Sequence, residues 1–242
     1  MAAAAKFEGR VLFNVVTTTG HPDFEPAFAI YGESFPPGEV EGRREFRSWL
    51  RADDHRESPS HDLMITARRG GRVVGMATIQ YIEALGAAFL GYLVVAREAR
   101  GAGVGSSLAR RAFQEVLRAH RAVRRGRPLG AFGELEHLHG RSRFHRRRLR
   151  FWARLGMRPL QIAWRYPRLE PGTRPSAMYL AFKPMRPGQV PLTRERMSSI
   201  VRGIYAEIYP QPRARKVLRR VLLSIEKGPA RIDFRDMPEE AR

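Results

Sequence analysis

Three glycines, Gly101, Gly103 and Gly105, fall within five positions, directly after the apolar run AAFLGYLVVA (87 to 96). A stripe of Leu108, Ala109, Ala112, Phe113, Val116 and Leu117 at helical spacing follows them. In a strand-to-helix turn, small residues let several backbone N–H groups point into one concavity, and the free amides of the first helical turn add partial positive charge. That arrangement binds an anion, above all a phosphate. A dinucleotide fingerprint would need glycine where Ser106 stands, and a nucleotide-triphosphate loop would need a lysine that is not there. The pattern is Arg100-x-x-Gly103-x-Gly105. A second group able to do chemistry is Glu134 and Glu136 in GELEH, two apart on an expected strand and so on one face. Carboxylates side by side raise at least one pKa, which suits a base acting near neutral pH; salt bridges to the arginines of 141 to 150 are the alternative role. Glu83, at the end of a hairpin, is a weaker candidate. His137, His139 and His145 have no matching cluster elsewhere, so no metal is expected.

The elements that must position these groups can be read along the chain. VLFNVVTTT (11 to 19) is a β-branched strand, and DFEPAFAIYGESF has helical spacing until Pro36-Pro37-Gly38 stops it. GRREFRSWLRADD gives a second short helix. DLMITARR and RVVGMATIQYIEA alternate around Gly70-Gly71, a hairpin, and the motif strand 87 to 96 follows. After the glycine turn and its helix come a strand near 131 to 138 and a helix over RRRLRFWARLGM ending at Gly156. Strands in QIAWRYPRL and SAMYLAFKP complete this part. MRPGQVPL (185 to 192) is a linker candidate, and beyond it two amphipathic helices carry Met197 to Ile208 and Val217 to Ile225. These form an extra packing layer or a dimer contact, or cover and narrow an acceptor site.

Composition bounds the class. The 242 residues suffice for one well-filled core with an appendage. Cysteine is absent, which excludes disulfides, thiolate zinc and a cysteine nucleophile; with no apolar run of membrane-spanning length, a cytoplasmic location is the expectation. The net charge is +20, yet only four of the 44 basic residues are lysine and the arginines run along the whole chain. That spread argues for acidic ligands in general, such as a CoA ester or an acidic carrier or acceptor protein, rather than for nucleic acid. The densest basic run, GRSRFHRRRLRF, reads first as a solvated helix face.

The run YLVVAREARGAGVGSSLARRAF resembles the acyl-CoA-binding motif of the GNAT superfamily of N-acyltransferases, and FWARLGM (151 to 157) resembles that family's second motif. The order of elements agrees over about residues 10 to 185. The resemblance implies a mixed α/β fold with a central mixed sheet of six to seven strands flanked by helices. It sets residues 1–187 as an acyltransferase domain and 188–242 as a helical extension packed on it. It further implies that amides of Gly101, Ala102, Gly103, Val104, Gly105 and Ser106 hold a CoA pyrophosphate, with Arg100 bracing the turn. The main chain of Leu93, Val94 and Val95 would pair with the pantetheine arm and offer an amide to the thioester oxygen. His145 and Trp152 stand where the family has a pantetheine-contacting asparagine and an acidic tyrosine; an indole N–H cannot protonate a thiolate, which leaves water or a tyrosine such as Tyr92. Glu33 lies in the segment that borders the acceptor pocket. The implied activity is transfer of an acetyl or other acyl group to a primary amine by direct attack, without metal. The alternatives are a longer acyl chain from CoA or a carrier protein, and a CoA-binding module without turnover.

Overall fold

The computed structural model describes residues 9–35, 41–52, 60–137, 143–167, 175–186, 188–209 and 213–236. The chain starts with β1 (Leu12–Val16), α1 (Phe24–Gly32) and α2 (Arg43–Ala52), then β2 (Ser60–Arg69) and β3 (Arg72–Ile82). The β2–β3 turn is Gly70-Gly71 with both φ positive (56° and 75°), the backbone that a tight two-residue hairpin demands and that glycine adopts at no steric cost. β4 (Ala87–Val95), α3 (Val104–Val123), β5 (Gly130–Glu136) and α4 (Arg143–Arg154) follow, then the two-residue strands β6 (Arg158–Pro159) and β7 (Arg165–Tyr166), and β8 (Ser176–Pro184). Gly156, at φ 83°, ends α4 in the left-handed conformation expected of it. The chain closes with β9 (Leu192–Thr193), α5 (Arg194–Ile208), α6 (Arg213–Glu226) and β10 (Arg231–Ile232). The proline stop at 36 to 38 lies outside the described residues, as does His139.

Six long strands and the two short ones make one mixed sheet in the order β1-β2-β3-β4-β5-β8-β6, with β7 also on β8. The β4–β5 pair is parallel, and the other pairs in the sheet are antiparallel. The strand expected over 161 to 169 shrinks to Arg165–Tyr166. Leu160, Ile162 and Trp164 turn into the core instead, and the backbone of Pro159 to Gln161 bonds to residues 233 to 235 near the C-terminus.

Period-two alternation divides the sheet residues between two faces. Ala77, Ile79, Tyr81, Ala88, Leu90, Ala131 and Leu135 pack with α3 and α4 residues such as Leu108, Ala112, Leu149 and Trp152. The opposite face carries two clusters. Met64, Met76 and Val94 meet Phe24, Tyr31 and Phe46 of α1 and α2, while Phe89, Phe132, Leu180 and Phe182 meet Met197, Ile200, Ile204 and Tyr205 of α5, with Val217 and Val221 of α6. α5 starts at a capped N-terminus, the Thr193 hydroxyl accepting from the Arg196 amide at 3.2 Å. Its Gly203 sits so close to Leu85 that a Cβ would stand 2.9 Å from the Leu85 methyls. The C-terminal helices therefore share a core with the sheet.

Ile204 is fully buried in that shared core. Ile204→Ala is expected to cost about 2–5 kcal/mol and to shift one cooperative denaturant transition of the whole chain; a separate early transition for the C-terminal helices would contradict the shared core.

Candidate functional site

The glycine turn is built as an open cradle. β4 ends at Val95, one turn of 3₁₀ helix spans Arg97–Ala99, and α3 begins after Gly103, its N-cap. Gly101 and Gly103 have φ of 81° and 77°, and among the described residues a Cβ at either would meet nothing within 4 Å. The first amides of α3, at Val104, Gly105 and Ser106, have no partner within the helix, and its first turn holds no acidic residue. Gly105 brings α3 close to its neighbours: its Cβ would touch Phe151 and Val95 at 3.5 Å. Arg100 folds back so that its Nε donates to the Val95 carbonyl at 2.9 Å, which fixes the end of β4 relative to the turn.

Beside the cradle the sheet parts. β4 and β5 are paired from Ala87/Gly130 to Leu90/Gly133 and no further, after which β4 continues on β3 and β5 on β8. The cause is a bulge. Gly91 and Tyr92 together face Thr78, whose hydroxyl accepts from the Tyr92 amide at 2.9 Å. A Cβ on residue 91 would stand 2.8 Å from that same hydroxyl, so glycine is needed for the close approach. The Ala96 amide donates to Val74 of β3. Strand alternation then turns the N–H groups of Leu93 and Val95 into the gap and that of Val94 toward β3.

On the sheet face away from α3, between the two clusters, lies a cleft that is open to solvent. Met64, Thr78, Gln80, Phe89 and Met178 form its floor; Phe35, Phe46 and Trp49 wall one side, Tyr166, Ile208 and Tyr209 the other. Four carboxylates line it, Glu41, Asp62, Glu134 and Glu136, with one basic side chain among the described residues, Arg148. Glu134 is held by two neutral donors on one oxygen, Trp164 Nε1 at 2.5 Å and the Tyr209 hydroxyl at 2.6 Å. Glu136 pairs with Arg148 at 2.8 Å, so the salt-bridge role holds for that carboxylate. Burial and the Glu134 charge push the Tyr209 phenol well up, keeping it a donor. Burial, helped by the charges of Glu45 and Asp62, pushes the Glu41 carboxyl up to about 8. Its Oε2 is sealed from water with no hydrogen-bond partner.

Not every expected residue is at the cleft. Glu33 is exposed at the C-cap of α1 and is not a lining residue. Glu83 lies in the 3₁₀ turn joining β3 to β4, at the end of the hairpin opposite the glycine turn, and it too is outside the lining. Trp152 is 9% exposed in the cluster under α3, packed against Phe151, a core side chain rather than a cleft one. The side chain of His145 is outside the described residues. Glu41, Asp62 and Tyr209 carry no local sequence signal: each is isolated, and the topology alone assembles them.

The model of the acetyltransferase (GNAT) family matches residues 24–157, more than half of the chain. The chain belongs to the GNAT acetyltransferase family. Among solved structures it is similar to a GNAT-family protein from Bacteroides thetaiotaomicron, with a TM-score of 0.61 and 16% identity over 82% of this chain and 98% of that one. It is also similar to the tandem GNAT protein of the clavulanic acid biosynthesis pathway, with a TM-score of 0.52 and 18% identity over 64% of this chain and 46% of that one. Among curated proteins none matches significantly. The parted strands and the open cradle fit the acyl-CoA that this GNAT family uses. No helix of the described residues is long and apolar enough to cross a membrane, and no group of three or more His, Asp or Glu among them is placed to hold a metal ion.

Glu41 makes stability depend on pH in a defined direction. The native state retains a proton that the unfolded chain, titrating near 4.5, has released, so this group lowers stability progressively from about pH 4.5 to about 8 and no further above that. Glu41→Gln is expected to gain on the parent across the same window, by on the order of a few kcal/mol at its upper end. Thermal denaturation at pH 5, 6.5 and 8 checks this; parallel curves would contradict it.

Proposed function

We propose that this protein is an acyl-CoA-dependent N-acyltransferase that acylates a primary amine by direct attack. The observation that carries the reading is the gap between β4 and β5, with a phosphate cradle on one side of the sheet and a carboxylate-lined cleft on the other. Acyl-CoA, when bound, supplies an activated thioester acyl group. The amides of Gly101 to Ser106 hold its pyrophosphate, helped by the helix terminus. The N–H groups of Leu93 and Val95 face the pantetheine arm and the thioester oxygen, where a fixed donor lowers the barrier as negative charge develops. The Val94 amide points to β3 and takes no part.

The acceptor enters through the cleft. Glu134, fixed by Trp164 and Tyr209, faces it next to the parting strands and is the proposed proton acceptor, directly or through water, as the amine nitrogen bonds to the acyl carbon and the C–S bond breaks. Glu136 is engaged by Arg148 and shapes the rim. Tyr92 does not serve as the acid: it hydrogen-bonds Tyr31, and burial raises its phenol far above its ordinary value. Water is left to protonate the thiolate.

Two substitutions separate the parts. Gly103→Glu places a carboxylate at the cradle and is expected to weaken acyl-CoA binding by ~100-fold, about 2.7 kcal/mol, in calorimetry on folded protein; unchanged affinity would remove the cradle from the donor site. Glu134→Gln keeps an oxygen for Trp164 and Tyr209 and is expected to lower kcat by ~100-fold or more with acyl-CoA affinity retained. A Glu136→Gln loss as large would move the base to Glu136.

A further inference from the structure

The polar groups of the cleft among the described residues are largely settled within the protein. Glu136 is matched by Arg148, Asp62 has a partner of its own, and the Gln80 amide donates to the Glu207 carbonyl at 3.3 Å. Burial keeps Glu41 largely protonated below about pH 8, so it adds little charge near neutral pH. A second charge on an acceptor would have to displace one of these partners or shed its water uncompensated. What the cleft offers instead is ring surface. On one wall Phe46 and Trp49 stand 4.9 Å apart between ring centroids, and Phe35 meets Tyr92 edge-on at 5.2 Å. On the other, Tyr166 meets Tyr209 edge-on at 6.0 Å. Phe89 lies on the floor between them. Phe35, Trp49, Tyr92 and Tyr166 are only partly buried, and each lines the cleft. Rings set edge against face present positive edges and negative faces together, a surface that suits a further ring. The position of the cleft assigns it to the acceptor rather than to a long acyl chain. Direct attack needs amine and thioester together at the parted strands. With the donor in the gap, the solvent-open cleft is the amine's way in, and an acyl chain lying there would keep the amine from Glu134.

Resting on the acyltransferase reading above, we propose that the acceptor is a primary amine carried on an aromatic, otherwise uncharged body, its nitrogen beside Glu134 and its ring between the two aromatic walls. The acyl group it receives is a short one, because ring and long chain would claim the same space. Trp49 on α2 and Tyr166 on β7 are specificity-determining residues in this scheme, one on each wall.

The test offers phenethylamine, cyclohexylethylamine, ethylamine, p-methylbenzylamine and p-xylylenediamine to the full-length protein with acetyl-CoA. The expected kcat/KM for phenethylamine exceeds that for ethylamine by at least ~10-fold, as burial of a phenyl group yields, and that for cyclohexylethylamine by ~2-fold or more. p-Methylbenzylamine is expected to exceed p-xylylenediamine, which differs by a second ammonium, by at least ~10-fold. Trp49→Ala is expected to lower the phenethylamine-to-ethylamine ratio at least ~5-fold, through KM, and Trp49→Phe to restore it. Tyr166→Leu reads the same ratio from the opposite wall, so the outcome does not hang on one variant folding. Equal use of ethylamine and phenethylamine overturns the inference, as does preference for the diamine or a ratio that both wall variants leave intact. Faster turnover of octanoyl-CoA than of acetyl-CoA with phenethylamine gives the cleft to the acyl chain and overturns it too. Calorimetry separates this from the wider reading: absence of acetyl-CoA binding defeats the acyltransferase assignment itself. If acetyl-CoA binds and no amine is turned over, phenethylamine binding in the presence of CoA decides. Binding that Trp49→Ala weakens supports the aromatic acceptor site; no binding overturns it while leaving the donor site standing.

Discussion

Everything at the site depends on β4 leaving β5 after Leu90. A parallel pair that stayed zipped would satisfy the amides of Leu93 and Val95 in the sheet and close the passage between its two faces. The parting comes from one extra residue in β4, where Gly91 and Tyr92 share the place opposite Thr78 and the threonine hydroxyl accepts the amide that the bulge would otherwise strand. An unpaired strand segment is normally a liability, because its backbone groups must find partners or water. Here the cost is contained: β3 still holds β4 along one edge, β8 holds β5 along the other, and Arg100 takes the Val95 carbonyl. What remains open is a pair of N–H groups facing the gap, beside a helix N-terminus that faces the same way. On the proposed reading, the amide pair that the bulge frees serves a thioester and the helix N-terminus a phosphate.

The far side of the gap is furnished by parts of the chain that are distant in sequence. Tyr209 reaches Glu134 from the end of α5, 75 residues on, and Trp164 reaches it from the turn before β7. Both come from segments whose apolar residues also belong to the core built on Phe132 and Phe182. The same packing that seals the sheet therefore aims two donors at one carboxylate, and loosening α5 would loosen Glu134. The end of α5 is a wall of the cleft as well as a part of the core.

The glycine turn was readable from sequence because it is local: strand, glycines and the first residue of the helix lie within eighteen residues, and a positive φ can be supplied cheaply only by glycine. The pairing of Glu134 and Glu136 on one face was equally local, since alternation along a strand requires it. Their separate fates were not, because Arg148, Trp164 and Tyr209 arrive from other elements. Glu33 and Glu83 lie outside the cleft lining for the same reason in reverse: proximity along the chain to a site-bordering element does not say which end of that element the cleft occupies. The short β7 shows the limit for strands. QIAWRYPRL has the residues of a strand, but Leu160, Ile162 and Trp164 are drawn into the core against α5, and the C-terminal segment takes the backbone bonds that a neighbouring strand would have made. Glu41 had no pattern at all, since its environment is made by burial from four different elements.

Charge reverses sign between the chain as a whole and the cleft, and the two length scales explain how both can serve one reaction. A net +20 raises the concentration of a polyphosphate donor around the molecule and opposes a cationic acceptor. That long-range term is screened over about 8 Å at physiological salt. Inside the cleft, where Asp62 and Glu134 face a space with apolar walls, the interaction is short-ranged and little screened. On the proposed reading, the global field favours the anionic donor and the local field the cationic acceptor. Neither charge pattern has to be weakened for the other, because the sheet and its two parted strands stand between them.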